Sequence, residues 1–136
     1  MKHYLFAIGF IFIGLSINAQ GITFFQGTFE EAQVKAKKEN KLVFMHADAV
    51  WNGTGKRMKL NVFTNSEVGE YFNQNFINLF MDMEKGEGPD LARKYRVRAY
   101  PTFLFLNAEG DEVYRATGAK KTEEFIQLGV VANSKK

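Results

Sequence analysis

The chain has 136 residues, a formal net charge of +3 and no cysteine. So small a charge excess argues against a nucleic-acid partner, and the missing thiols exclude disulfides as a source of stability and thiolate chemistry as a function. Fourteen phenylalanines supply apolar area for one core, and the length fits one domain.

In chain order, Met1-Lys2-His3 is a short basic start, Tyr4 to Leu15 is an apolar run, and Ser16-Ile17-Asn18-Ala19 ends on a small residue. This is the layout of a secretory signal peptide over residues 1–19, cleaved after Ala19; the alternative is an uncleaved N-terminal anchor. The run is short for a membrane span, which needs roughly 20 apolar residues. No stable membrane anchor is expected after cleavage, and a bacterial lipoprotein anchor would need a cysteine. The domain then covers residues 20–136, in the periplasm or outside the cell.

Thr28-Phe29-Glu30-Glu31 is a capping-box pattern that opens a helix running to about Asn40. Lys41 to Ala47 reads as a buried strand. After Asn52 to Gly55, read as a loop, a helix is expected from about Lys56 to Val62. Thr64-Asn65-Ser66-Glu67 starts another, with Val68, Tyr71 and Phe72 on its apolar face. Phe76 to Asp82 is the second strand. Pro89 suits the first turn of a short helix carrying Leu91, Ala92 and Tyr95. Thr102 to Leu106 is the third strand. Asn107-Ala108-Glu109-Gly110 is a hairpin turn, followed by a return strand over Glu112 to Ala116. Thr122 to about Ala132 is the last helix. A short strand near Ile22 to Phe25 completes the expectation. Helices between strands imply parallel crossovers and the terminal hairpin an antiparallel edge, so the fold class is α/β: a mixed central sheet, helices on both faces, and a C-terminal β-hairpin plus helix.

Three segments carry a resemblance: Trp51-Asn52-Gly53-Thr54-Gly55-Lys56-Arg57-Met58, Asp82-Met83-Glu84, and Val97-Arg98-Ala99-Tyr100-Pro101-Thr102-Phe103, with Gly118-Ala119 beyond them. Together they resemble the thioredoxin family, in particular its secreted bacterial thioredoxin-like members. The resemblance implies a thioredoxin-like fold and a cis Tyr100–Pro101 bond beside the active-site segment. It also exposes the departures. Asn52 and Gly55 stand where relatives have their two cysteines, Thr54 stands at the intervening proline, and His46 occupies the position of a buried aspartate that assists proton transfer. Four parts of one chemical apparatus are absent together, so no catalytic residue is assigned and the domain reads as redox-inactive rather than as an enzyme.

The remaining candidates form a former active-site groove: Trp51, Asn52, Gly53, Thr54, Gly55, Tyr100 and Pro101, expected to hold an extended polypeptide or protein partner weakly. Asn52 reads as the N-cap of the helix it precedes. Gly53 and Gly55 imply a loose loop with exposed amides that could attract an anion. Thr54 has no base nearby in sequence. His46 and Asp48 share one strand face, but two ligands make a poor metal site, so His46 reads as half-buried and bonded to backbone or water. No metal and no cofactor are expected. Two other readings stay open: an oxidoreductase accessory working through a partner's cysteines, and a structural scaffold with no ligand at the old site. The alignment also implies that Asn52→Cys, Gly55→Cys and Thr54→Pro together would close a disulfide.

Overall fold

The capping pattern at Thr28 starts the first helix, α1 (Phe29–Glu39), with Thr28 Oγ1 accepting the Glu31 amide at 3.1 Å. The reciprocal half of the box is not made. The Glu31 carboxylate accepts from Thr28 Oγ1 at 3.2 Å rather than from the Thr28 amide, and the next amide, that of Phe29, donates to Glu87. Asn40 ends α1 in the left-handed conformation at φ 53°, which asparagine tolerates better than most residues.

This computed structural model describes residues 20–136; the expected leader, residues 1–19, lies outside the described residues. The other elements are β1 (Leu42–Asp48), α2 (Gly53–Asn61), α3 (Ser66–Asn75), β2 (Phe76–Asp82), α4 (Gly88–Lys94), β3 (Thr102–Leu106), β4 (Glu112–Thr117) and α5 (Thr122–Ser134). The sheet runs β2-β1-β3-β4. β1 and β2 are parallel, as a crossover through α2 and α3 requires. β1 pairs antiparallel with β3, and β3 with β4.

β1 is central, and all seven of its residues are buried. Its side chains alternate between two cores. Val43, Met45 and Ala47 join α1 and α4 on one face, in a cluster with Ala32, Ala36, Leu79 and Leu104. Leu42 and Phe44 face α2, α3 and α5, among Phe72, Phe76, Phe103, Phe105 and Phe125. Helices therefore cover both faces of a mixed sheet.

Three expectations change. Ile22 to Phe25 is not a strand: Ile22 donates to Phe63 on the α2–α3 turn, and the one backbone–backbone bond to β2 runs from Phe25 to Asn78, so no ladder forms. α2 begins at Gly53, three residues early, because the Asn52 carbonyl already accepts the Lys56 amide at 3.1 Å. α5 continues two residues past Ala132.

Candidate functional site

The C-terminal end of β1, the start of α2 and the start of β3 meet at one corner. Ala47 pairs with Thr102, which sets the Tyr100–Pro101 segment beside the chain that leaves β1. The Tyr100–Pro101 peptide bond is cis, Pro101 is buried, and its carbonyl accepts the Gly118 amide at 2.9 Å. Trp51 projects from this corner with 63% of its surface exposed. Its ring meets Tyr100 edge-on, with centroids 6.1 Å apart, and its Nε1–H donates to the Glu84 carboxylate. Burial, reinforced by the carboxylates of Glu84, Asp82 and Asp48, pushes the Tyr100 hydroxyl above its ordinary pKa, so it stays a neutral donor at physiological pH.

Beneath this rim lies a polar chain. His46 Nε2 meets Asp48 Oδ2 at 3.1 Å. The other oxygen, Asp48 Oδ1, accepts from Asn52 Nδ2 at 2.8 Å and from the Ala49 amide at 2.8 Å. Both His46 and Asp48 are buried, at 0% and 1% exposure. Burial holds the His46 imidazole below its ordinary pKa despite the neighbouring carboxylate, so His46 is neutral and donates from Nε2. Burial alone would raise the Asp48 carboxyl, but the hydrogen bonds from His46, Asn52 and Ala49 outweigh it and hold Asp48 low and ionised. His46 Nδ1 has no partner; the ring lies among Phe63, Phe80 and Phe103, with centroids 5.0, 5.4 and 5.7 Å away.

These contacts revise the reading of several residues. His46 is fully buried and bonded to Asp48, because β1 is flanked by strands on both edges and covered by aromatic rings. Asn52 stands at the N-cap of α2 but makes no capping bond; its side chain turns back so that Nδ2 donates to the ionised Asp48, a charge-assisted bond stronger than the neutral one its Oδ1 would accept as a cap. Gly55 is a buried residue of the first helical turn, not part of a loose loop. A Cβ built on Gly55 would lie 1.7 Å from Asp48 Oδ2, so the carboxylate fills the space a side chain there would need. The ionised Asp48 thus supplies the negative charge that the start of α2 favours, which leaves little call for an external anion. A cysteine placed at 55 would meet the Asp48 carboxylate, which would have to shift before a disulfide between positions 52 and 55 could close. Thr54 Oγ1 accepts from Arg57 at 3.3 Å, an arrangement that gives it no base.

The structure therefore brings together Trp51, Tyr100 and Pro101 on the rim and Asn52 and Gly55 on the polar chain below, with Gly53 exposed and Thr54 half-buried on the α2 side. Sequence reasoning undervalued Asp48. The signal was available: it shares a strand face with His46 and stands four residues before Asn52. Among the described residues, no three His, Asp or Glu side chains are grouped to hold a metal ion, and no helix is long and apolar enough to cross a membrane.

Comparison with known proteins completes the description. The sequence pattern of the Thioredoxin-like domain family matches residues 29–130. Over 95 residues the chain is 30% identical to a thioredoxin H-type of Oryza sativa subsp. indica, covering 70% of this chain and 72% of that one. A solution structure from Bacteroides thetaiotaomicron, of a protein described as a proposed disulphide-isomerase, superposes with a TM-score of 0.73 at 47% identity, covering 82% of this chain and 94% of that one. A thioredoxin from Thermus thermophilus shares the fold with a TM-score of 0.72 at 24% identity, over 82% of this chain and 86% of its own.

Proposed function

The chain belongs to the thioredoxin-like domain family, and from that premise we propose that it is a redox-inactive member that binds an extended polypeptide weakly along Trp51, Asn52, Gly53, Thr54, Gly55, Tyr100 and Pro101. The observation that carries this reading is the exposed Trp51 ring held against Tyr100 beside the buried Pro101, in a chain with no thiol at all. Without a thiol there is no mixed disulfide to hold a partner. Two or three backbone hydrogen bonds at roughly 1 kcal/mol each give about 2–3 kcal/mol, weaker than millimolar. Aromatic anchors must supply the rest, and Trp51 and Tyr100 are placed for it. The buried His46–Asp48–Asn52 chain supports the same role by fixing the start of α2, and with it the rim. We place the domain in the periplasm or outside the cell, on the leader-like composition of residues 1–19.

Trp51 is the sole tryptophan, so its fluorescence reports this corner alone. Titration with extended apolar peptides should change that fluorescence with micromolar or weaker affinity, and Trp51→Ala should weaken binding measured by calorimetry at least tenfold. Undiminished affinity in Trp51→Ala would overturn the groove reading. In a companion assay, insulin reduction by dithiothreitol should run no faster with the protein than without it.

A further inference from the structure

Beside the rim, on the far side of Thr54, α2 and the loop that leads from β4 into α5 frame a crevice of about 380 Å³. Its floor is apolar: Met58 and Val62 line it and are almost wholly buried. Its walls carry Arg57, Lys120 and Lys121, and no carboxylate lines it. Two of those cations are oriented from within. Arg57 Nη2 donates to Thr54 Oγ1 at 3.3 Å, and Lys120 Nζ donates to the Thr117 carbonyl at 2.8 Å. Their positions are thus partly fixed while their charges stay unneutralised. Lys121 occupies the N-cap of α5 without a side-chain capping bond, and Thr122 beside it also lines the crevice.

Resting on the groove reading above, we infer that this crevice receives an acidic side chain of the bound polypeptide, a Glu or Asp whose methylenes lie on Met58 and Val62 and whose carboxylate meets Arg57 and Lys121. Three cations and no acid, around an apolar floor, complement that side chain and disfavour a basic one. The groove and the crevice share Thr54, three residues along the chain from Trp51 and about the length of one helical turn from it. A span of about 5 Å at about 3.3 Å per extended residue puts the acidic residue about two positions from the residue that packs on Trp51, on the same face of the extended segment. The partner class is therefore an extended apolar segment with an acidic residue at that spacing.

The test uses the full chain and three synthetic peptides alike except at that position, which is Glu, Gln or Lys, with Trp51 fluorescence as the readout. The Glu peptide should bind about fivefold more tightly than the Gln peptide at low salt, within the range of exposed ion pairs, and the Lys peptide more weakly than either. The Glu advantage should shrink at high salt. In Arg57→Gln/Lys121→Gln, checked by circular dichroism for native folding, the Glu-to-Gln affinity ratio should fall to about one. Equal affinities for Glu and Gln peptides, or an advantage that survives the double variant, overturn the inference and leave the groove reading standing. The groove reading fails by a different result: calorimetry on Trp51→Ala that shows undiminished binding of the Gln peptide.

Discussion

The two faces of β1 bury neighbouring residues of one strand in opposite ways. On the α1–α4 face, Val43, Met45 and Ala47 join a mostly aliphatic cluster, in which the hydroxyl of Tyr95 finds its partner at the Gly110 carbonyl. On the α2–α3–α5 face the strand begins with Leu42 and Phe44 in a phenylalanine stack and ends with His46 and Asp48, a buried polar pair beneath the rim. Apolar packing is the cheaper solution, since burying polar groups costs free energy unless every partner is found. The pair lies only at the end of the strand that carries Trp51 and Asn52 onward. The difference teaches that the second face does two jobs: its phenylalanines stabilise the domain, and its polar end shapes the start of α2.

The largest expected effect breaks the stabilising half. Phe44 touches Phe72, Phe103, Phe105 and Phe125, with centroids 5.1 to 6.1 Å away. Phe44→Ala should cost about 3–5 kcal/mol in urea unfolding. A cost near that of an exposed site would show that the stack does not carry the core.

Next comes Gly55→Ala, which drives a methyl into the Asp48 carboxylate. The three hydrogen bonds on Asp48 keep it from moving aside, so the substitution should destabilise by about 2 kcal/mol even though alanine favours helix over glycine. Combined with Asp48→Ala the costs should be less than additive by about 1 kcal/mol or more, because the collision is then gone. Simple additivity would mean that the two positions do not compete for space.

The pH dependence sharpens the comparison, since the buried imidazole and carboxylate both lie on the polar face. The folded-state pKa of His46 lies below its unfolded value of about 6.5. The folded state therefore prefers neutral His46. That contribution is fully present above the unfolded pKa and is lost as pH falls below it, with a slope of at most about 1.4 kcal/mol per pH unit for one proton. Asp48, also held low, contributes above its own unfolded pKa near 3.8 and loses that contribution in more acid solution. Urea unfolding from pH 7 to 5 should thus show a decline that His46→Gln flattens. The same decline in His46→Gln would assign it to other groups.

The smallest expected effect lies on the rim. Trp51 is mostly exposed and its bond to Glu84 is a surface contact, so Glu84→Gln should change thermal stability by less than about 0.5 kcal/mol. A larger loss would make Trp51 part of the fold rather than of a binding surface.

Much of this architecture was legible in the sequence, and unevenly so. β2 and β3 show their bounds directly, because Phe76 to Asp82 and Thr102 to Leu106 are apolar runs stopped by polar or turn residues. The polar corner was harder. Whether His46 is half or wholly buried depends on β2 and β3 lying on both sides of β1, which no local pattern states. Asn52 has the sequence signature of a cap, yet Asp48 competes for its amide from across a strand-to-helix turn. Gly55 looked like a flexible link, when it is the space left for a carboxylate seven residues earlier. Local preference named the elements; contacts between them decided the site.

The most direct test of the central claim is an amide-resolved NMR titration of the full chain with an extended apolar peptide at up to millimolar concentration. The account predicts progressive shifts at Trp51, Gly53, Thr54, Tyr100 and Thr102, with the α1 amides unmoved. Shifts on another surface, or none at millimolar peptide, would contradict it and leave this corner a relic on a structural scaffold.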